Sequence, residues 1–237
     1  MLEIISIIFN SFLYQPLLNF LLFLYNILGD FGLAIIVLTL IIKIITNPLN
    51  KKSLESQKKM AEIQPLIKRV QKEYKDREQQ GRELLKVYKE NNFNPFAGIF
   101  VLFLQIPIFF ALFKVFQSGI DLARLEPYIY SFISLPETIN PVFLTVDLSQ
   151  PNMFLALITA ILQFIQVKTA TIQQQPSKEG EKDQMEQITE MIQKQTMFFV
   201  PAVIFFVLFN LPAALGLYWS ITTVLNIIQQ RKIFNKK

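Results

Sequence analysis

The chain has 237 residues, 52% of them hydrophobic and 13% aromatic, with a mean hydropathy of +0.37. That is too apolar for an ordinary soluble domain of this length, so lipid must be part of its solvent. The absence of cysteine excludes disulfides, thiolate metal sites and a cysteine lipid anchor, and the +5 net charge is explained by attraction to anionic headgroups without nucleic acid.

In chain order, residues 1–30 are apolar but are interrupted by Asn10, Gln15, Pro16 and Asn19 and lack the basic start of a signal peptide. They read as an external, interfacial amphipathic helix. Residues 31–49 form a first span, long enough for the ~20 residues that a bilayer core of about 30 Å demands. Residues 50–94 form a cytoplasmic helical hairpin. Its first helix places Met60, Ile63, Ile67, Val70 and Tyr74 at helical spacing, and its second, from about Arg82 to Glu90, has Leu84, Leu85 and Tyr88 as its apolar side. The polar stretch Asp76 to Gly81 makes the turn, and Pro65 bends the first helix or marks its start. This composition suits both a solvated connector and a docking arm for a cytoplasmic partner, and its narrow apolar seam implies mobility.

Residues 95–116 form a second span, 117–151 an external loop, 152–172 a third span and 173–194 a cytoplasmic loop. The charge-free run Gln195 to Gln230 is too long for one span and is broken by Asn210-Leu211-Pro212, giving a fourth span at 195–210, a short external turn at 211–213 and a fifth span at 214–230. A short basic tail, 231–237, follows. The expected fold is an all-α integral membrane protein of five transmembrane helices, an N-terminal interfacial helix and the cytoplasmic hairpin.

Cytoplasmic loops hold the excess of positive charge. Lys51 to Asn94 contains 12 of the 23 lysines and arginines, whereas Gln117 to Pro151 has only Arg124 against Asp121, Glu126, Glu137 and Asp147. Lys168, Lys178, Lys182 and Lys194 mark the second internal loop, and Arg231, Lys232, Lys236 and Lys237 the tail. These assignments put the N-terminus outside and the C-terminus in the cytoplasm of a cell membrane. A sixth span would leave the N-terminus inside with no basic residue to hold it there.

Residues three and four apart share a helix face. Thr39, Lys43 and Asn47 align in span one, Thr159, Gln163 and Gln166 in span three, and Tyr218, Thr222, Asn226 and Gln229 in span five. Span two offers only Gln105, before Pro107, and span four, crowded with Phe198, Phe199, Phe205, Phe206 and Phe209, faces lipid. Interhelical hydrogen bonds worth ~0.6–2 kcal/mol would account for any single Thr or Gln, and Lys43, about 12 Å from Lys51 along the helix, has a stem long enough to snorkel. Alignment on three helices points instead to an enclosed hydrated surface. No Asp, Glu or His in any span offers Lys43 a fixed counter-ion, so water must solvate it or its pKa must fall. The same absence removes proton-coupled carriers, zinc proteolysis and serine-histidine or paired-aspartate intramembrane proteolysis. No phosphate-binding or dinucleotide-binding glycine motif is present, so no cofactor is expected and the chain does not read as an enzyme.

Several local patterns, taken in order, resemble the YidC/Oxa-type membrane protein insertases. They are Phe31-Gly32-Leu33-Ala34-Ile35-Ile36-Val37-Leu38-Thr39 with Lys43 and Asn47-Pro48-Leu49, Gln64-Pro65 in the basic hairpin, and Asn94-Pro95 with Gln105-Ile106-Pro107-Ile108-Phe109. The last is Pro212-Ala213-Ala214-Leu215-Gly216-Leu217-Tyr218-Trp219, ending near Gln229-Gln230. The resemblance runs from about Tyr14 to Lys232. It implies a hydrophilic groove open to cytoplasm and lipid and closed outside, in which nascent membrane segments are received, inserted and folded, alone or with a Sec-type translocon. Lys43 would be the groove's charge, with Thr39 one turn away and Gln105, Gln163 and Trp219 along the substrate path; Gln166, Tyr218, Thr222 and Asn226 complete the candidate contact set. The implied partners are nascent membrane proteins and the bilayer, with ribosome and targeting factors through the hairpin and no nucleic-acid specificity. Lys43 stands where arginine is usual, so the charge is kept and the planar fork lost. The large external domain and the lipid-anchored cysteine of some relatives are missing, and the short tail argues against ribosome docking through it. Rival readings are a small-solute transporter or channel, disfavoured by the lack of internal repeats, and an assembly factor for other membrane subunits.

Overall fold

The structure is a computed structural model that describes residues 2–118, 125–173 and 184–235. Parts of three predicted segments therefore lie outside the described residues: Asp121 and Arg124 of the external loop, Lys178 and Lys182 of the second internal loop, and Lys236 and Lys237 of the tail.

Helix α1 (Leu2–Phe9) passes through a π-helical turn (Asn10–Tyr14) into α2 (Gln15–Leu28), which ends at Gly29 with a left-handed φ of 67°. The Asp30 carboxylate then caps α3 by accepting from Leu33 N at 2.8 Å. Helix α3 (Phe31–Glu73) is continuous for 43 residues and carries Pro48 and Pro65 inside it. The first span and the first arm of the hairpin are thus one element, about 64 Å long at 1.5 Å per residue, twice the thickness of a bilayer core. Pro65 neither starts a helix nor separates two.

Asp76, not the glycine at 81, sets the return: its carboxylate caps α4 (Arg77–Glu90) by accepting from Gln79 N at 3.0 Å. The turn is therefore shorter than predicted and α4 starts before Arg82. Ile63 and Ile67 are buried between the two helices, while Leu85, predicted to pack, is 67% exposed. Ser56 Oγ donates to Asn94 O at 3.1 Å and Gln80 Nε2 to Tyr74 O at 3.1 Å, tying the hairpin at its base and its tip.

Helices α5 (Phe96–Ser118), α6 (Met153–Gln173), α7 (Gln184–Leu208) and α8 (Ala213–Phe234) complete the bundle. A two-residue antiparallel pair, β1 (Val142–Phe143) with β2 (Val146–Asp147), departs from the all-α expectation. Helices α3, α6 and α8 run parallel, because contacts advance together along them: Lys43 with Asn226 and Asn47 with Gln229, then Leu155 with Gly216 and Thr159 with Ser220. Their N-termini meet residues 126–152 at one end, where Ala213 N and Ala214 N donate to Gln150 O and Leu148 O, each at 2.9 Å.

The core is concentrated at that end. Phe31, Ala34, Ile35 and Leu38 of α3 pack with Leu112, Val115 and Phe116 of α5, Ala214 and Leu215 of α8, and Tyr14, Leu18, Leu21 and Leu22 of the N-terminal segment. The N-terminal segment runs beside residues 126–140: Asn19 donates to Tyr128 O at 2.8 Å and accepts from Tyr130 N at 2.7 Å, and Asn26 donates to Ser134 O at 2.7 Å. Asn19 thus interrupts the apolar run because it serves the loop, whereas Asn10 serves α5. Phe198, Phe199 and Phe206 on α7 and Phe209 just after it are exposed, while Phe205 packs against the core.

Candidate functional groove

Below the closed end the bundle is hollow. A cavity of about 580 Å³ opens between α3, α5, α6 and α8. Its polar lining is Lys43 from α3, Gln105 from α5, Gln163 and Gln166 from α6, and Thr222 and Asn226 from α8. Its apolar lining is Ile106, Phe109 and Phe110 with Trp219, whose ring meets Phe109 edge-on with centroids 5.4 Å apart. Ile106 and Phe110 are 51% and 55% exposed, so the apolar side faces outward as well as inward.

Lys43 Nζ donates to Asn226 Oδ1. An amide oxygen orients the ammonium without neutralising it, and no carboxylate lines the cavity among the described residues. The ammonium therefore borders this space without a carboxylate partner. Gln105 Nε2 donates to Tyr218 Oη at 2.8 Å, which fixes a second polar crossing of the bundle.

Eight of the nine residues singled out from the sequence line this one cavity: Lys43, Gln105, Gln163, Gln166, Tyr218, Trp219, Thr222 and Asn226. Thr39 does not. Its hydroxyl donates to Ile35 O at 2.6 Å and the residue is buried in the closed part of α3. Thr159, from the same stripe as Gln163, is also buried; it lies 2.7 Å from Ser220 Oγ and joins α6 to α8 rather than facing the cavity. Asn47 accepts from Gln229 Nε2 at 2.9 Å on the other side of the α3–α8 seam.

Two features were missed. Asn50, Ser53 and Gln57 extend the cavity wall along α3, where the polar run 43, 50, 53, 57 at helical spacing carries the signal. The second is Lys114, which contradicts the reading that Gln105 is the only polar residue of span two. Its ammonium sits 4.1 Å from the centre of the Tyr14 ring and 5.1 Å from that of Tyr128, and donates to Asn10 Oδ1 at 2.8 Å. This cation belongs to the closed end and locks α5 to the N-terminal segment and the loop.

Residues 23–237 match the family described as 60Kd inner membrane protein. The chain belongs to that family. It is 33% identical over 221 residues to the membrane protein insertase YidC of Geobacter sulfurreducens, covering 93% of this chain and 36% of the relative. It is 31% identical over 231 residues to the YidC of Campylobacter jejuni, covering 96% of this chain and 39% of the relative. It thus spans less than two-fifths of the length of these curated relatives. A crystal structure described as an active YidC insertase with its first transmembrane domain resolved has the same fold, with a TM-score of 0.61 and 24% identity over 91% of this chain and 44% of that one. The family is one of inner membrane proteins, in accord with the apolar helices Phe31–Glu73 and Met153–Ala170.

Proposed function

We propose that this chain is a membrane protein insertase and chaperone that receives nascent segments in the cavity between α3, α5, α6 and α8 and passes them into the bilayer. The carrying observation is the mixed lining: a cation without a carboxylate partner and six amide side chains share one cavity with Phe109, Phe110 and Trp219. A polypeptide entering a membrane presents both chemistries at once, an apolar stretch and a polar flank. An isolated charge at the bilayer centre costs at least ~2.5–3.5 kcal/mol on insertion scales, and a hydrated wall lowers that barrier without any covalent step.

In this reading α3, α5, α6, α7 and α8 are five spans, with the closed end outside and the hairpin in the cytoplasm. The parallel run of α3, α6 and α8 requires alternating crossings, and the 12 basic residues of 51–94 favour the cytoplasm. The segment Ser6–Leu28 is long and apolar enough to cross a membrane, but its Asn19 and Asn26 bond along the outer loop. It therefore lies at the external interface. The continuous α3 makes the first arm of the hairpin a direct extension of the groove wall, suited to guide a substrate from ribosome or Sec-type translocon toward Lys43.

A photoreactive residue at Gln163 or Trp219, in membranes supplied with stalled ribosomes, tests this. Transient adducts with several unrelated nascent spans are expected; no nascent-chain adduct, or one permanent partner, would refute it.

A further inference from the structure

Two large apolar side chains at the closed end point away from the protein. Leu144, in the turn between β1 and β2, is 83% exposed, and Phe132, in the loop beside α2, is 78% exposed. The segments that carry them, Ile129 to Leu135 and Pro141 to Val146, contain no charged residue.

Leu144 stands there against its own backbone preference. It takes the first position of a two-residue hairpin turn with a φ of 57°, the left-handed region that glycine or asparagine enters readily and leucine does not. Either of those residues would suit both the turn and water. A leucine suits neither, and the solvent that rewards it is lipid.

The height of both side chains agrees with that solvent. Phe143, the neighbour of Leu144, lies against Gly32, one residue inside the start of α3. The apolar stretch that begins there, Phe31 to Leu49, is about 28 Å long, the thickness of a bilayer core, so its first turn stands at the membrane boundary. Leu144 is one Cα step, about 3.8 Å, from the residue that touches this turn. Phe132 is held at the surface by α2, because Tyr130 N donates to Asn19 Oδ1 and Asn26 Nδ2 to Ser134 O, each at 2.7 Å. Tyr130 stacks on Phe132 with centroids 5.4 Å apart, and aromatic rings collect at the level of lipid headgroups.

We infer that Leu144 and Phe132 insert into the leaflet at the closed end, where headgroups meet acyl chains, and fix the depth of the bundle in the bilayer. Continuity selects this occupant. Leu33, next to Gly32, is 43% exposed on α3, and Ile27 is 64% exposed on α2, so the lipid that covers these helices reaches both loop tips. The inference rests on the reading of α3 as a membrane span; in the orientation proposed above the leaflet is the outer one.

The chain has no cysteine, so L144C, F132C, F206C and L85C can each carry one spin label in the full chain. The labelled proteins are placed in vesicles of phosphatidylglycerol and phosphatidylethanolamine without ribosomes, which makes the readout independent of insertion. Collision with oxygen, which concentrates in lipid, is compared with collision with a water-soluble nickel chelate. Labels at 144 and 132 should favour oxygen several-fold, as should the label at 206 on α7. The label at 85, on an equally apolar and 67% exposed residue of the hairpin, should favour nickel and so show that the label does not seek lipid by itself. Nickel preference at 144 or 132 beside oxygen preference at 206 would overturn the inference and leave the spans intact. Access to neither collider at those two positions would mean that protein covers the tips, and would overturn it equally. Nickel preference at 206 would overturn the span reading and the inference together.

Discussion

Lys43 on α3 donates a hydrogen bond to Asn226 on α8, and this neutral partner leaves a cation at the mouth of the cavity with its charge uncompensated. A carboxylate at position 226 would change that. The N226D variant is expected to fold, since an ion pair replaces a hydrogen bond. It should insert substrates with acidic external tails several-fold less well while treating neutral tails normally. Insertion assays in proteoliposomes with matched acidic and neutral tails check this; equal effects on both would separate the charge from substrate selection.

The closed end depends on Lys114 between Tyr14 and Tyr128. Removing one ring with Tyr128→Leu is expected to cost ~0.5–2 kcal/mol and to loosen the N-terminal segment. Hydrogen exchange of residues 2–14 should accelerate several-fold, with exchange in α8 unchanged. Unaltered exchange in the N-terminal segment would mean that apolar packing alone holds it.

Gly32 lets the β1–β2 hairpin lie on α3, because a Cβ there would stand 2.1 Å from Phe143 Cγ. Gly32→Ala should therefore lower the melting temperature in detergent, by a loss of about 1–3 kcal/mol. Adding Phe143→Ala should recover part of it, and a strictly additive double variant would show that the two residues do not meet.

Thr159 and Ser220 make the polar link between α6 and α8. Thr159→Val is expected to reduce stability by ~0.6–2 kcal/mol and to leave the acidic-to-neutral substrate ratio unchanged. A shift in that ratio would place Thr159 in the substrate path after all.

Much of the groove was legible because helical periodicity alone brings Gln163 to Gln166 and Thr222 to Asn226. Periodicity gives the face of a helix but not the level at which neighbours close over it. Thr39 shares the face of Lys43, yet it falls where Ile35 and Leu38 are packed shut, so its hydroxyl turns to its own backbone. The onset of charge at Lys51 is not the end of a helix: α3 runs on through Pro48 and past Lys51 to Glu73. Lys114 was hidden for a different reason. Its partners stand 104 positions earlier at Asn10, 100 earlier at Tyr14 and 14 later at Tyr128, so no local spacing announces them.

The central claim is that the uncompensated charge of Lys43 assists the passage of acidic polar flanks. Reconstituted protein carrying Lys43, Lys43→Arg or Lys43→Ala should be compared for insertion of a single-span substrate with an acidic external tail, with protease protection as the readout. Arginine should sustain insertion, and alanine should lower it about three- to tenfold, equivalent to ~0.6–1.4 kcal/mol for a charge pair in a hydrated site. Insertion by the alanine variant at the level of the unmodified protein would contradict the account.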